Sequence, residues 1–277
     1  MKQPLISIIL PTYKHPPFLG RAINSVQAQS YKNWELLIID DGLDPEAVAV
    51  IEEFKENDIR IHSYKNEKNT GIQKSLNRGI NEAMGEYIAR IDDDDIWIDT
   101  QKLKKQVVFL EEHKEYVLVG TNGSIVNERG DVYGTYQLSQ SDVQIRRSIL
   151  SKNCFLHPSV MMRKSTINDA GGYDESSSMK HIEDYALWLK LGMLGKFANL
   201  QDNTVILMVH EDSLTFNNRI SQAYKMRILI GKYKYVYSGY IVAYILLTMR
   251  IIGFTFLKII PIPNRLLYVI QKIYKEY

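Results

Sequence analysis

Apolar and polar residues form alternating blocks along the first hundred residues, and these blocks predict strands and helices in turn. Short apolar, β-branched runs are typical of strands buried in a parallel sheet, and longer stretches with apolar residues at helical spacing predict helices. This βαβ alternation predicts an α/β fold with a Rossmann-like, mostly parallel sheet flanked by helices. The predicted strands are Leu5–Leu10, Trp34–Ile39, Ile59–Tyr64 and Tyr87–Ile91, and the predicted helices are Leu19–Gln29, Ala47–Glu56 and Gln73–Met84.

Beyond residue 100 the predicted elements are less regular. The predicted helices are Lys102–Glu112, Ser141–Leu150 and Glu183–Leu191, and the predicted strands are Val117–Gly120, Ser124–Val126, Phe155–Met162 and Val205–Val209. His157 and Pro158 interrupt the strand Phe155–Met162. A change in composition near residue 220 predicts an α/β domain over residues 1–219 and a helical tail over residues 220–277.

The tail differs from the rest of the chain in charge. The 277 residues carry a net charge of +2, but residues 220–277 contain nine basic residues and one acidic residue, which leaves −6 on the first 219. A basic tail predicts an anionic partner, either a membrane surface or nucleic acid. Because no recognised nucleic-acid-binding motif accompanies the charge, we predict membrane contact and no nucleic-acid partner.

The hydrophobic part of the tail lies between Tyr235 and Ile262. Its stretches Ser238–Met249 and Ile251–Ile260 are shorter than the about 20 residues needed to cross a bilayer. Together with the basic residues around them, they predict an amphipathic helical segment that lies in the membrane interface. The alternative is a helical subdomain that packs on the α/β domain. The flanking basic residues are Lys225, Arg227, Lys232, Lys234, Arg265 and Lys272.

Cysteine use and the N-terminus indicate the compartment. Cys154 is the only cysteine, which excludes an intrachain disulfide, favours a reducing cytoplasm and predicts a small buried side chain. The first apolar run is short and ends at Pro11 without a cleavage site, so it predicts a core strand and not a signal peptide. We therefore expect a cytoplasmic protein, peripheral on the inner face of the cell membrane.

Polar side chains follow three of the predicted strands, at the edge of the sheet where ligands bind. If the strand Tyr87–Ile91 continued through the four aspartates that follow it, Asp92 and Asp94 would point to one side and Asp93 and Asp95 to the opposite side. Two carboxylates on one side suit Mg²⁺ or Mn²⁺, which also take oxygens from substrate phosphates; the alternative is a solvated acidic turn or a Ca²⁺ loop. GxGxxG and P-loop motifs are absent, so a metal is predicted to hold the phosphates. The three groups are Thr12-Tyr13, Asp40-Asp41 and Asp92-Asp93-Asp94-Asp95.

Several further motifs follow one another along the chain. They are Pro11-Thr12-Tyr13, Ile39-Asp40-Asp41-Gly42, Asn69-Thr70-Gly71, Asn77-Arg78-Gly79, Gly85-Glu86-Tyr87-Ile88-Ala89, Asp92-Asp93-Asp94-Asp95, Gly171-Gly172-Tyr173, Glu183-Asp184 and His210-Glu211-Asp212-Ser213. In this order, from about Ser7 to about Thr215, they resemble glycosyltransferase family 2. The resemblance implies a GT-A fold and a nucleotide-diphospho-sugar donor. The subtype is similar to bacterial exopolysaccharide, capsule and O-antigen transferases.

The resemblance also implies roles for single residues. Asp184 would be the catalytic base that takes a proton from the acceptor hydroxyl, and a helix N-terminus would stabilise its ionised form. Asp94, with Asp92 and His210, would bind Mn²⁺ or Mg²⁺. Nucleotide contacts are implied for Pro11, Tyr13, Asp41, Asp92 and Asp93, and acceptor or phosphate contacts for His157 and Glu183.

Alternatives remain open for these residues. Glu183 and Asp184 also fit the first turn of an ordinary helix, and either Asp40 or Asp41 can cap a turn. Tyr13 and His157 can be buried structural residues, and His210 can be structural as well. The chain departs from the family pattern at Leu43 and Leu76, where a serine and an arginine are common, so Lys74 or Arg78 is predicted to contact phosphate instead.

The expected function is metal-dependent, inverting transfer of one sugar, with UDP-hexose as the expected donor. The expected acceptor is a saccharide or a polyprenyl-diphosphate-linked sugar at the membrane. No Gln-x-x-Arg-Trp motif is present, which argues against a processive synthase. A metal-dependent nucleotidyltransferase and a non-catalytic nucleotide-sugar-binding module are the two alternatives.

Overall fold

The computed structural model describes residues 3–13, 16–127, 129–209 and 216–259. The strands are β1 (Ile6–Thr12), β2 (Trp34–Asp40), β3 (Ile61–Lys65), β4 (Tyr87–Arg90), β5 (Ile96–Trp97), β6 (Tyr116–Asn127), β7 (Val132–Tyr136), β8 (Met161–Arg163) and β9 (Lys196–Val209). The helices are α1 (Pro16–Gln27), α2 (Pro45–Asn57), α3 (Ile72–Glu82), α4 (Lys102–Glu112), α5 (Asp142–Ser148), α6 (Lys164–Asp169), α7 (Glu183–Leu191), α8 (Phe216–Leu229) and α9 (Tyr240–Ile259).

The strands form one sheet in the order β3-β2-β1-β4-β8-β6-β9-β5, with β7 paired to β6. The first four strands are parallel, as predicted, and they alternate with helices α1, α2 and α3. Beyond residue 95 the sheet becomes mixed, because β8 is antiparallel to both β4 and β6, and β5 is antiparallel to β9. Thr12 pairs with Asp40 and Ile9 with Arg90, so the ends of β1, β2 and β4 meet at one edge of the sheet.

Two hydrophobic layers cover the sheet. Ile6, Ile8 and Leu10 of β1 belong to the layer that includes α1, α2 and α4, whereas Ile9 belongs to the layer that includes α3, α5 and α7. Burial on both faces explains why β1 and β2 are mostly apolar and do not alternate with polar residues; Ser7 and Glu35 are buried as a hydrogen-bonded pair. Cys154 is buried in the second layer, as predicted.

Four predicted strands differ from the structure. The predicted strand Phe155–Met162 is a 3₁₀ turn at His157–Ser159 followed by the short β8, because Pro158 has no N–H for a ladder. The predicted strands Val117–Gly120 and Ser124–Val126 are one continuous β6. Strand β9 begins at Lys196, nine residues before the predicted start at Val205, because paired polar residues interrupt its apolar pattern.

Gly85 lies where β4 comes closest to the start of β1. A Cβ at this position would lie 2.6 Å from the Ser7 amide nitrogen and 2.7 Å from the Leu5 carbonyl oxygen. Both neighbours are backbone atoms, so neither can move away as a side chain would. The glycine at position 85 is therefore explained by packing within the sheet and not by chemistry.

We expect Gly85→Ala to lower the free energy of unfolding by about 1–3 kcal/mol, because overpacking forces the backbone to shift. Urea unfolding followed by circular dichroism measures the change. Gly20→Ala is the matched control, since its Cβ would meet nothing nearer than Phe54 Cε2 at 3.6 Å, and it should be neutral or slightly stabilising. Equal stability of the two variants would contradict the packing explanation.

Helix α9 corrects the sequence analysis of the tail. The two stretches predicted separately join in one continuous helix, Tyr240–Ile259, that by length and composition can cross a membrane over Tyr240–Leu257. Arg250 lies within this helix, and its guanidinium donates a hydrogen bond to the Ser151 carbonyl oxygen at 2.7 Å. Arg265 and Lys272 lie outside the described residues.

Helix α9 has one packed face and one exposed face. Ala243 and Leu247 belong to the same hydrophobic layer as α7, and Phe254 is also buried. The opposite face consists of apolar side chains between 51% and 72% exposed, spaced three or four residues apart. These side chains are Ile241, Ile245, Met249, Ile252 and Phe256.

Candidate active site

The acidic run after β4 is a turn and not an extension of the strand. The Asp95 amide donates to the Asp92 carbonyl oxygen at 3.3 Å, and this reverses the chain before β5. The prediction that the four aspartate side chains alternate between the two sides of a continuing strand is therefore wrong. One carboxylate oxygen from each of Asp92, Asp94 and Asp95 lies within 4.8 Å of the others, which adds Asp95 to the predicted pair. We call these three side chains the carboxylate cluster.

The carboxylate cluster is built on buried polar contacts. Arg90, which is 4% exposed, binds both carboxylate oxygens of Asp92. Asp95 is buried and accepts a hydrogen bond from the Met208 amide of β9 at 3.1 Å. Burial, and then the charges of Asp92 and Asp94, raise the pKa of Asp95 well above its ordinary value. His210, the third predicted metal ligand, lies outside the described residues.

Asp93 is not part of the carboxylate cluster and connects the acidic turn to the end of β1. Its Oδ2 accepts hydrogen bonds from Thr12 Oγ1 at 2.7 Å and from the Tyr13 amide at 3.2 Å. Tyr13 is 42% exposed, so it is not the core tyrosine kept as an alternative, whereas Pro11 is buried within β1. The predicted nucleotide residues Pro11, Tyr13 and Asp93 therefore lie together at the ends of β1 and β4.

The two aspartates after β2 have different partners. Asp40 caps the turn, because its Oδ1 accepts hydrogen bonds from the Gly42 amide at 3.1 Å and the Leu43 amide at 3.0 Å. Asp41 is buried and organises the loop before α3. Its carboxylate accepts four hydrogen bonds, from Asn66 Nδ2 and Thr70 Oγ1 and from the amides of Thr70 and Gly71. Burial raises the pKa of Asp41, but these four donors outweigh it and leave the pKa below its usual value.

The two predicted phosphate contacts on α3 lie elsewhere in the hydrogen-bond network. Arg78 donates to the Lys65 carbonyl oxygen at 2.7 Å and to Asn66 Oδ1 at 2.5 Å. It therefore orients Asn66, which in turn donates to Asp41. Lys74 is exposed. Within the described ranges, neither cation forms a hydrogen bond or ion pair with the carboxylate cluster.

Asp184 lies in the first turn of α7, as predicted, with two hydrogen bonds to its carboxylate. Asn153 Nδ2 donates to Asp184 Oδ2 at 2.6 Å, and the Tyr185 amide donates to Asp184 Oδ1 at 2.7 Å. Burial and the neighbouring charge of Glu183 raise the pKa of Asp184 to about 6, despite these two donors. Glu183 Oε2 is buried and has no hydrogen-bond partner in the described part of the chain. A carboxylate with this pKa suits proton transfer near neutral pH.

Tyr173 and His157 contact each other near Arg90, whose charge acts on both. Tyr173 Oη and His157 Nε2 are 2.8 Å apart. The Asn77 side chain of α3 holds the Tyr173 backbone, because its Nδ2 donates to the Tyr173 carbonyl oxygen and its Oδ1 accepts from the Tyr173 amide. Burial and the nearby Arg90 charge lower the pKa of His157 well below its ordinary value, so the imidazole is neutral. Tyr173 was not among the predicted site residues, although the Gly171-Gly172-Tyr173 motif was the signal for it.

One electrostatic neighbourhood joins these groups. The Asp184 charge acts on both Asp92 and Tyr173, and the Arg90 charge acts on Asp92, Asp184, Tyr173 and His157. These residues are far apart in the sequence, on β4, the 3₁₀ turn and α7. The site therefore combines a cluster of oxygen ligands, an exposed aromatic ring and a carboxylate of raised pKa.

A family model described as Glycosyl transferase family 2 matches residues 7–171, more than half of the chain. The chain belongs to glycosyltransferase family 2. This family 2 glycosyltransferase is similar to EpsE of Bacillus subtilis, with 34% identity over 219 residues that cover 78% of this chain and 76% of EpsE. It is also 32% identical over 202 residues to WfgD of Escherichia coli, named a UDP-Glc:alpha-D-GlcNAc-diphosphoundecaprenol beta-1,3-glucosyltransferase. That match covers 73% of this chain and 72% of WfgD.

The fold of the family 2 glycosyltransferase is also found among solved structures. The mannosyltransferase PcManGT from Pyrobaculum calidifontis, in complex with GDP-Man and Mn²⁺, matches with a TM-score of 0.65 and 17% identity. The match covers 90% of this chain and 70% of that chain. The predicted GT-A fold is confirmed, and the enzyme is a transferase.

Proposed function

We propose that this glycosyltransferase inverts the anomeric centre as it moves one hexose from a UDP-sugar to a hydroxyl of a lipid-linked saccharide, in the synthesis of a surface polysaccharide. The observation that carries the proposal is that Asp184 lies close enough to the carboxylate cluster for its charge to act on Asp92. The donor and acceptor classes are supported by the name of WfgD, which is 32% identical to this chain. A single carboxylate at the position of the base supports one direct displacement and hence inversion.

The carboxylate cluster fits Mg²⁺ or Mn²⁺. Its ligand atoms are carboxylate oxygens from Asp92, Asp94 and Asp95, the type that these hard cations prefer, and they lie close enough to share one ion. When bound, the cation would offset the negative charge that develops on the departing nucleoside diphosphate. His210 remains a proposed further ligand from outside the described residues.

The remaining residues would bind and orient the substrates. The exposed Tyr13 ring offers a face on which a uracil base can stack, and Asp93 holds the Tyr13 backbone in place. Asp41 Oδ2 accepts one bond in the described structure, from the Gly71 amide, and can accept another from the base imino group. Lys74, Arg78, Glu183 and His157 remain proposed contacts to phosphate or acceptor.

Asp184 would move the proton in this reaction. The acceptor oxygen forms a bond to the anomeric carbon as the bond from that carbon to the diphosphate oxygen breaks. The hydroxyl proton passes to the Asp184 carboxylate, and the electron pair of the broken bond leaves with the nucleoside diphosphate. The raised pKa of Asp184 makes it a stronger base than an ordinary aspartate.

The proposed function is tested with purified protein, a panel of nucleotide sugars and a synthetic sugar-diphosphate lipid acceptor, with Mn²⁺ or Mg²⁺ added. We expect release of a nucleoside diphosphate together with an acceptor one sugar longer, and the largest thermal stabilisation by the true donor. Release of pyrophosphate instead would identify a nucleotidyltransferase. Donor binding without any transfer would favour the non-catalytic alternative.

We further propose that residues 1–219 form the catalytic domain and that the tail, residues 220–277, attaches it to the cytoplasmic face of the cell membrane. The exposed apolar face of α9 and the +8 charge of the tail support this proposal. The cytoplasmic leaflet carries anionic lipids that attract clustered basic residues. The packed face of α9 would hold the active site at a constant distance from a lipid-linked acceptor.

We expect Ile252→Glu, on the exposed face of α9, to weaken binding to phosphatidylglycerol–phosphatidylethanolamine vesicles about tenfold or more, because the substitution removes buried apolar area and adds a negative charge. Vesicle cosedimentation measures the change. Ile59→Glu is the matched control, because Ile59 is 90% exposed at the turn before β3 and lies outside the tail. Unchanged cosedimentation of Ile252→Glu would refute the membrane proposal for this face.

A further inference from the structure

We propose that Asn153 is a positioning residue, which holds the Asp184 carboxylate in the orientation that accepts the acceptor proton. The inference rests on the proposed function, because it gives Asp184 the role of base. Asn153 lies in the loop after α5, 31 residues from Asp184, and no motif includes it. Its Nδ2 donates to Asp184 Oδ2 at 2.6 Å, the shortest of the hydrogen bonds that Asp184 accepts.

The orientation of the Asn153 amide is determined by its second contact. Asn153 Oδ1 accepts a hydrogen bond from the Phe155 amide at 3.2 Å. A backbone N–H can only donate, so the oxygen must face Phe155 and the NH₂ group must face Asp184. The loop therefore presents a donor, and not an acceptor, to the carboxylate.

The surroundings of Asp184 make such a donor necessary. Glu183 on the same helix and Asp92 on the acidic turn are negatively charged neighbours, and Tyr173 is a buried hydroxyl. Arg90 is a cation that acts on Asp184, but both of its terminal nitrogens bind Asp92. The other Asp184 oxygen is occupied by the Tyr185 amide, so Asn153 is the side chain that fixes Oδ2.

Two helices hold the loop that carries Asn153. From α7, Tyr185 Oη donates to the Leu150 carbonyl oxygen at 3.2 Å. From α9, Arg250 donates to the Ser151 carbonyl oxygen at 2.7 Å. The helix proposed to contact the membrane therefore supports the same loop that orients the base. Arg250→Met should produce a weaker form of the Asn153 defect.

The test compares Asn153→Ala and the isosteric Asn153→Asp with the unmodified full chain in the sugar-transfer assay. We expect kcat to fall about tenfold or more in both, because each removes a hydrogen bond to a charged group, with the donor KM unchanged. Since the lost donor stabilised the ionised carboxylate, the acidic limb of the pH–kcat/KM profile should move to higher pH. Asn57→Ala, at an exposed site on α2, is the control.

A double variant separates positioning from general damage. In an Asp184→Asn background, adding Asn153→Ala should cause no further loss of kcat, because Asn153 would act only through Asp184. An additional loss there, or a single Asn153→Ala variant with unchanged kcat and pH profile, would overturn the inference. Full turnover in Asp184→Asn would refute the proposed base and, with it, the role of Asn153, whereas lost turnover in Asp184→Asn beside unchanged turnover in Asn153→Ala would overturn the positioning role alone. Circular dichroism and donor binding confirm that each variant is folded.

Discussion

Asp184→Asn is expected to reduce sugar transfer by about 10²–10⁴-fold while donor binding is retained, because the amide cannot take the acceptor proton. The substitution keeps the shape of the side chain, so the contacts of the first turn of α7 should persist. Steady-state transfer gives the loss of turnover, and calorimetric titration with the nucleotide sugar and Mn²⁺ gives donor affinity. Asp202→Asn is the matched control, since Asp202 is exposed on β9 and pairs with Lys105.

The pH profile provides an independent check on the same residue. A base must be deprotonated to act, and the pKa of Asp184 is raised to about 6 by burial and by Glu183. The kcat/KM of the unmodified enzyme should therefore fall about tenfold per pH unit below pH 6 and level off above it. A profile that stays flat down to pH 4, or full turnover in Asp184→Asn, would exclude Asp184 as the base.

Asp94→Asn is expected to lower kcat by at least about 10²-fold, since it removes a ligand from the site that stabilises the leaving group. Dialysis of the unmodified enzyme against a chelator should abolish transfer, and added Mn²⁺ or Mg²⁺ should restore it. Asp94→Asn should also lose the thermal stabilisation that Mn²⁺ and UDP together give the unmodified enzyme. Full metal-dependent turnover in Asp94→Asn would contradict the assignment of the carboxylate cluster as the metal site.

The choice of aspartate to replace depends on the stability of the fold. Asp92 is bound by the buried Arg90, so its replacement would leave a buried cation without its partner. The carboxylate cluster is therefore better tested by a substitution at Asp94 than at Asp92. A variant at Asp92 would combine loss of metal binding with loss of stability, and the two effects would not be separable by activity alone.

The first four strands could be predicted because their signal is local. A strand buried on both faces is mostly apolar, and before Thr12 and Asp40 the only polar residues of β1 and β2 are Ser7 and Glu35, whose side chains hydrogen-bond to each other. The parallel arrangement followed from the alternation with helices, and it places the polar strand ends at one edge. The glycine before β4 could be recognised as part of a motif, but only the structure shows that the Ser7 and Leu5 backbones exclude a larger residue.

The acidic run shows why local reasoning fails at the site itself. Period-two alternation assumes that the strand continues, but the hydrogen bond between Asp95 and Asp92 turns the chain and moves Asp95 to the side of Asp94. The partner that stabilises Asp95 is the Met208 amide, 113 residues further along the chain. Contacts at such separations leave no periodic trace in the sequence.

The sequence by itself determined the α/β class, the family, the position of the acidic run after β4 and the position of Asp184 at a helix start, because each depends on residues close together in the chain. The tertiary structure alone decided which carboxylates share one site, that Tyr173 and Asn153 belong to it, and that α9 packs with one face and exposes the other. These features depend on side chains that meet across the sheet and between helices. Burial between these elements and the charge of Glu183 raise the pKa of Asp184, on which the proposed proton transfer depends.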